Sequence, residues 1–192
     1  FLYGSSDPVV VTENGFKFRI DWTTGQKTGF FIDQRENRKL LGEYTEGKNV
    51  LNMFGYTGAF SVYAMKNASL VHTVDSSASA ISLADENIRL NYGEDKRHES
   101  FQKDAFEYLT DIGNKYDLII LDPPAFAKHN NVLANALQGY KRLNMRAIEQ
   151  IRPGGIIFTF SCSQVVTKEN FRKSVFAAAA NTGRKVRIMH QL

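Results

Sequence analysis

Cysteine, tryptophan and proline are scarce in this chain: one Cys, one Trp and four Pro among 192 residues. The lone Cys162 excludes an intrachain disulfide and a multi-cysteine zinc or iron–sulfur site. Four histidines, at 72, 98, 129 and 190, are scattered without metal-ligand spacing and read as surface or satisfied core residues. No apolar run approaches the roughly 20 residues that a spanning helix needs, so no integral membrane protein is expected. Internal repeats, low-complexity tracts and Pro/Gly-rich linkers are absent as well. A composition of 43% hydrophobic and 23% charged residues excludes a disordered tail. The length suits one α/β domain with a real core and not two ordinary domains. The opening Phe1-Leu2-Tyr3-Gly4 has neither an initiator Met nor a signal-peptide pattern, so the chain reads as a piece of a longer cytoplasmic protein.

Acidic charge is scarce in one part only. Residues 1–127 carry 13 Lys/Arg and 18 Asp/Glu, whereas residues 128–192 carry 11 and 2. A basic third beside an acidic body suits a polyanion such as nucleic acid, and suits equally a solvated face that keeps the protein soluble.

Residues 9–21 read as a β-hairpin turning at Asn14-Gly15, a pair that tolerates the positive φ angles of a two-residue turn. An extended piece over 28–32 follows. The spacing of Asp33 and Glu36 then resembles a capping box and predicts a helix from 33 to about 42 or 45. From residue 49 onward strands and helices alternate. Strands are expected at 49–54, 70–75, 99–102, 117–121, 156–162 and 185–190, and helices at 58–67, 77–91, 105–112, 133–151 and 167–181. This order predicts a mostly parallel, doubly wound sheet with ligands at the carboxyl ends of its strands. A further edge strand is expected beyond Leu192. The expected organisation is an N-terminal hairpin and extended segment, 1–32, before a catalytic domain, 33–192.

The chemistry-bearing residues fall at those carboxyl ends. Asn52-Met53-Phe54-Gly55-Tyr56-Thr57-Gly58 joins a strand to a helix, where glycines let backbone approach a ligand and free N–H groups face it. It is not the G-x-G-x-x-G of dinucleotide enzymes. Asp75, followed by Ser76, ends the next strand at the distance where a carboxylate grips ribose hydroxyls. Asp104, followed by Ala105, ends the third, where it can take an adenine amino group. Each Asp alone reads equally as a helix N-cap. Their order together matches class I S-adenosylmethionine (SAM) methyltransferases better than nicotinamide enzymes.

Asp122-Pro123-Pro124-Ala125-Phe126 leaves the fourth strand stiffly, because two prolines fix φ and remove two donors. Asp122 is thereby held where a planar base would lie. Cys162, within Ser161-Cys162-Ser163, follows the adjacent strand. A lone Cys is usually a small buried hydrophobe. Here a thiolate has a use: adding to carbon 6 of a pyrimidine makes carbon 5 nucleophilic enough to take a methyl group.

The run Gly25-Gln26-Lys27-Thr28-Gly29-Phe30-Phe31-Ile32-Asp33-Gln34-Arg35-Glu36-Asn37-Arg38, the Asn52 loop through Phe60, the Asp-Pro-Pro-Ala-Phe segment and Ser161-Cys162-Ser163 together resemble the bacterial large-subunit ribosomal RNA cytosine-C5 methyltransferases. Tyr56 in place of glycine is usual in that family. The resemblance implies a Rossmann-like fold, SAM as methyl donor, Cys162 as nucleophile and Asp122 contacting both cytosine and the cofactor site. It also implies that Phe31, Gln34 and Arg35 close over the methionine end of SAM, with Arg35 pairing its carboxylate. Ribosomal RNA is the implied partner, with a homodimer for the full-length protein. Family members add an N-terminal RNA-binding domain of the PUA type and a strand past the position of Leu192. Other RNA cytosine-C5 enzymes use a second cysteine near Asp-Pro-Pro to release product; none stands here, which leaves the base for the carbon 5 proton unassigned.

Two rival readings remain. A sister group shares the Gly-Gln-Lys-Thr-Gly and Asn-x-Phe-x-Tyr-Thr-Gly segments but methylates guanine N7, which needs no thiol. A non-catalytic RNA-binding module would suit the basic third but not the acidic strand ends. Lys128, Lys141, Arg142 and Arg146 are expected near the RNA path.

Overall fold

The order of neighbouring strands decides where the crevice of this protein lies. The structure is a computed structural model that describes residues 9–21 and 29–192. Strands β1 (Val9–Glu13) and β2 (Phe16–Ile20) form the expected antiparallel hairpin. Asn14 and Gly15 both take positive φ, 49° and 87°, as the turn demands. Then follow α1 (Arg35–Gly42), β3 (Asn49–Met53), α2 (Ala59–Met65), β4 (Leu70–Asp75), α3 (Ala78–Tyr92) and β5 (His98–Gln102). The remainder is α4 (Ala105–Tyr108), β6 (Leu118–Leu121), α5 (Leu133–Gln150), β7 (Ile156–Thr159) and α6 (Lys168–Thr182). The five later strands pair in parallel, in the order β5-β4-β3-β6-β7.

A sheet covered on both faces needs strands that are apolar at every position, and β6, Leu-Ile-Ile-Leu, is buried throughout. Its residues divide by face. Leu118 and Ile120 join Val50, Val62, Met65 and Val71 under α2, and Ile119 and Leu121 join Leu51, Met53, Val74, Leu143 and Ala147 under α5. The hairpin closes the first core with Phe18, which is fully buried against Phe30.

Asn87 and Asn91 of α3 fasten β2 as a neighbouring strand would. Asn91 accepts from the Lys17 N–H at 2.8 Å and donates to its carbonyl at 2.7 Å, and Asn87 accepts from the Arg19 N–H at 2.7 Å. Four helical residues rise about 6 Å and two strand residues about 6.7 Å, so the spacings match.

Four expectations are corrected. Gly29 to Phe31 form no strand and Ile32–Gln34 is a turn of 3-10 helix; Thr28 and the Gly-Gln-Lys-Thr run lie outside the described residues. The capping box does not form: neither Phe31 nor Gln34 caps through a side chain, and Glu36 is taken by Arg35 Nε at 2.9 Å. Residues 185–190 form no strand, because no described strand pairs with them, and Val186, Ile188 and Met189 stay exposed. Strand β7 also ends at Thr159 rather than 162, although the Phe160 N–H still reaches the Leu121 carbonyl at 2.9 Å.

His72 of β4 is buried, with Nδ1 2.7 Å from the Tyr116 hydroxyl. Burial, then the Lys115 and His98 charges, lowers its pKa from 6.5 to about 4. The Glu99 carboxylate 3.8 Å away is 64% exposed, and water screens it too well to offset burial. Between about pH 4 and 6.5 the unfolded chain therefore binds the extra proton. The contribution is complete above pH 6.5 and is lost as pH falls towards 4. At pH 5 the loss is about 2 kcal/mol. Urea unfolding at pH 7 and pH 5 should show it, and His72→Gln should flatten that difference; an unchanged pH dependence in the variant would refute the assignment.

Candidate active site

All five parallel strands present their carboxyl ends on one edge. The chain goes from β3 to β4 on one side, while β6 lies on the other, so a crevice opens at that switch point. The loop after β3 is held in strained backbone there. Phe54 and Tyr56 take φ of 59° and 45°, and Gly58 71°. Each strained non-glycine residue costs on the order of 1–3 kcal/mol and persists only where the surroundings over-determine it.

Those surroundings are visible. The Asp75 carboxylate accepts the Tyr56 N–H at 3.0 Å and the Ser77 N–H at 2.9 Å, bracing the loop against the start of α3. The Gly55 N–H donates to the Val74 carbonyl at 3.0 Å. The Asn87 amide that fastens the hairpin also donates to the Thr57 carbonyl at 2.9 Å. Sequence reading missed Asn87, a helical Asn that nothing in the local sequence marks as a buried anchor.

Gly55 and Gly58 are required by neighbours within the protein. A Cβ on Gly55 would collide with Thr73 Cγ2, and one on Gly58 would sit 2.8 Å from the Ala84 Cβ. This packing reason stands beside the ligand approach expected for them. Asn52 lies under the loop, fully covered. Its amide donates to Ser61 Oγ at 2.9 Å, the Ser61 and Thr73 hydroxyls are 2.7 Å apart, and Thr73 Oγ1 is 2.8 Å from His98 Nε2. Burial lowers the His98 pKa, which keeps this chain neutral.

Asp104 N-caps α4, accepting from the Glu107 N–H at 3.0 Å, with Ala105 buried behind it. Its capping role is therefore present, and the residue is exposed just past the end of β5. Ser76 is exposed, and its carbonyl accepts from Gln102 Nε2 at 3.4 Å.

Phe31 comes to the same place from the N-terminal side. Its ring meets Tyr56 edge-on, with centroids 5.4 Å apart. Gln34 accepts from Asn37, and Arg35 pairs with exposed Glu36, worth at most about 1 kcal/mol. What fixes this segment is Arg38, which sequence reading gave no role. Its guanidinium is buried and forks onto Glu13 of the hairpin at 2.9 and 2.8 Å. It also donates to the Phe31 carbonyl at 3.0 Å and lies 4.7 Å from the centre of the Phe30 ring. Tyr63 completes the cluster by donating to Glu13 at 2.9 Å; burial, and next that hydrogen bond, push its pKa up to about 12.

On the other side of the crevice the ends of β6 and β7 are adjacent. Asp122 is half-buried at the end of β6. Cys162 is exposed, and its thiol donates to the Pro123 carbonyl at 3.5 Å. The structure thus brings Cys162 beside the Asp-Pro-Pro loop, two strands from the Tyr56 loop, or about 10 Å across the sheet. A depression of about 330 Å³ beside α4, lined by Lys103, Tyr108, Lys115 and Tyr116 among others, includes none of these residues.

The basic third is partly neutralised. Arg152 pairs with Asp117, Lys173 with Glu169 and Arg146 with Glu149, and Arg184 donates to the carbonyls of Ile148 and Ile151. Lys141 lies 3.0 Å from the Asn181 side chain. Lys128 and Arg142 are exposed and, among the described residues, form no ion pair. No helix among the described residues is long and apolar enough to cross a membrane.

Comparison with known proteins finds relatives of this chain and of its fold. The Ribosomal RNA large subunit methyltransferase I of Aeromonas salmonicida is 41% identical over 191 residues, which is 97% of this chain and 48% of that protein. A proposed SAM-dependent methyltransferase from Streptococcus mutans superimposes with a TM-score of 0.80 at 28% identity, over 92% of this chain and 48% of the other. A proposed methyltransferase solved in complex with SAH matches with the same score and identity, over 92% and 47%. The chain spans about half the length of the curated relatives it matches.

The residues present fit SAM. Two backbone N–H groups orient the Asp75 carboxylate and leave it acceptor capacity for ribose hydroxyls, which donate. The strained loop is braced by Asp75, Val74 and Asn87, and the Phe31 ring packs edge-on against its Tyr56. The model of the S-adenosylmethionine-dependent methyltransferase family matches residues 4–184, and the chain belongs to that family.

Proposed function

We propose that this chain is the catalytic domain of an enzyme that methylates large-subunit ribosomal RNA at carbon 5 of a cytosine, with Cys162 as the nucleophile. Residues 33–192 carry the catalytic elements, and segment 1–32 supplies the hairpin whose Glu13 secures Arg38. The observation that carries the reading is the exposed Cys162 thiol held against the Pro123 carbonyl, beside Asp122 and across the crevice from the cofactor loop. The name of the Aeromonas salmonicida relative supports ribosomal RNA as substrate. Such a substrate belongs in the cytoplasm.

In this reading Asp75, the Tyr56 loop and Phe31 hold SAM, and Asp104 lies where its adenine amino group would be. Bound SAM supplies an electrophilic methyl group. Cys162 would lose its proton to solvent as its sulfur bonds to carbon 6 of the base; the carbon 5–carbon 6 π pair would move to carbon 5, which would take the methyl group as S-adenosylhomocysteine leaves with the broken bond's electron pair. A base then removes the carbon 5 proton, the C–H pair restores the double bond, and the carbon–sulfur bond breaks to return the thiolate. Asp122 and the stiff Pro123-Pro124 exit hold the ring in plane for both steps. The base must leave its helix or loop to enter. Lys128, close after Asp-Pro-Pro in the chain, and Arg142 of α5 are both exposed and suit phosphate contacts.

Nucleoside mass spectrometry of large-subunit ribosomal RNA, from cells with and without the gene, tests the reading. The expected result is loss of 5-methylcytidine in the deletion. Loss of 7-methylguanosine instead would favour the thiol-free guanine reading, and loss of neither a non-catalytic RNA-binding role.

A further inference from the structure

The loops carrying Asp122 and Cys162 come from different strands. A pair of buried hydroxyls joins them. Ser163, 4% exposed, follows Cys162 directly; its Oγ accepts from the Ala127 N–H at 3.3 Å and lies 2.9 Å from the Tyr140 hydroxyl. Ala127 closes the Asp-Pro-Pro-Ala-Phe-Ala segment, and Tyr140 is a fully buried residue of α5. One Ser hydroxyl therefore ties the segment after β7 to the segment after β6 and to the helix that spans them.

Packing holds the same three pieces together. The Phe126 ring lies 4.6 Å, centroid to centroid, from Tyr140, and Tyr140 meets Phe171 of α6 edge-on at 5.2 Å. Gly139 leaves room for Phe126: a Cβ there would be 3.0 Å from the ring. Burying a Tyr and a Ser hydroxyl is costly unless both are paired, and phenylalanine and alanine would fill the same volumes without that cost. Stability alone gives no reason for hydroxyls here. A hydrogen bond has what apolar packing lacks: it sets a distance and a direction.

We infer that Tyr140 and Ser163 are positioning residues that set the placement of Cys162 relative to the Asp122-Pro123 loop through the Tyr140–Ser163–Ala127 hydrogen bonds. The inference rests on the proposed catalytic role of Cys162 and deepens it. Neither hydroxyl touches the crevice; each acts through the loop it ties. The thiol contact to the Pro123 carbonyl, by contrast, is long at 3.5 Å, and the reaction itself must break it.

The test uses the full-length protein, total large-subunit ribosomal RNA from gene-deleted cells as substrate, and Tyr140→Phe and Ser163→Ala variants. Tyr140→Phe keeps the ring contacts and removes one hydroxyl, so it should fold. The expected result for Ser163→Ala is a kcat reduced tenfold or more, with KM for SAM within twofold of the parent. Tyr140→Phe should show a smaller fall in kcat, with KM for SAM again unchanged. RNA carrying 5-fluorocytidine has fluorine in place of the carbon 5 hydrogen, so its adduct has no carbon 5 proton to lose and cannot eliminate; it should trap the thiol more slowly in both variants. A kcat per folded molecule within twofold of the parent in both variants, with only Tm lowered, would overturn the inference. Failure of the underlying reading looks different: Cys162→Ala would retain full activity.

Discussion

Replacing Cys162 with alanine is expected to abolish methyl transfer while leaving SAM binding intact. The change removes the one thiol of the chain, and an exposed side chain at a loop position costs little stability. Carbon 5 of a neutral cytosine is too poor a nucleophile to take the methyl group unaided, so loss of the thiol removes the step rather than slowing it slightly. Loss of a covalent nucleophile lowers kcat on the order of 10⁴-fold or more. Transfer of labelled methyl to ribosomal RNA measures the first effect and calorimetric titration with SAM the second. Serine should not rescue, because a hydroxyl is a far weaker nucleophile towards carbon 6 at neutral pH. Activity within tenfold of the parent in Cys162→Ala would remove cytosine C5 as the target and return attention to an already nucleophilic ring nitrogen.

The second large effect concerns Gly55. An alanine there places its methyl group into Thr73 Cγ2. Thr73 cannot turn away cheaply, because its hydroxyl is 2.7 Å from Ser61 and 2.8 Å from His98, both hydrogen bonds in the core. Rotating it would strand buried polar groups at about 1–3 kcal/mol each. The loop must move instead, giving up the Gly55 N–H bond to Val74 and displacing the braced Tyr56. Overpacking of this kind costs about 1–3 kcal/mol in stability. The effect on the cofactor is expected to be larger, on the order of 100-fold weaker SAM binding, since placement errors of about 1 Å are that costly. Thr73→Ser deletes Cγ2 but keeps the hydroxyl. Gly55→Ala/Thr73→Ser should therefore recover much of the SAM affinity that Gly55→Ala loses. Affinity unchanged in Gly55→Ala, or no recovery in the double variant, would show that the collision does not govern the loop.

Both effects depend on features of different origin. The apolar run at 118–121, the Asn14-Gly15 turn and the helical segments starting at Ser77 and Thr167 are local properties, and their elements formed as read. Residues at the strand ends were legible for the same reason: in a parallel sheet, the position of a residue along the chain determines the edge it occupies. Local reading failed where a partner far away decides. Asp33 and Glu36 have capping-box spacing, yet Arg38 pulls Phe31 and the 3-10 turn into register with the hairpin, and Arg35 takes Glu36. Residues 185–190 have a strand's composition, but a strand exists only with a neighbour to share its hydrogen bonds, and the described residues offer none.

The amino-acid sequence by itself thus determined the class of fold, the family and which edge of the sheet carries Asp75, Asp104, Asp122 and Cys162, because alternation of strands and helices is written in local periodicity. Only the tertiary structure decided how those residues are held: Asn87 on Thr57, Arg38 on Glu13 and Phe31, Ser163 between Ala127 and Tyr140. The physical reason is that a hydrogen bond or ion pair between residues tens of positions apart leaves no period and no neighbouring motif in the chain. Its partners meet only after the sheet has assembled and its helices have packed.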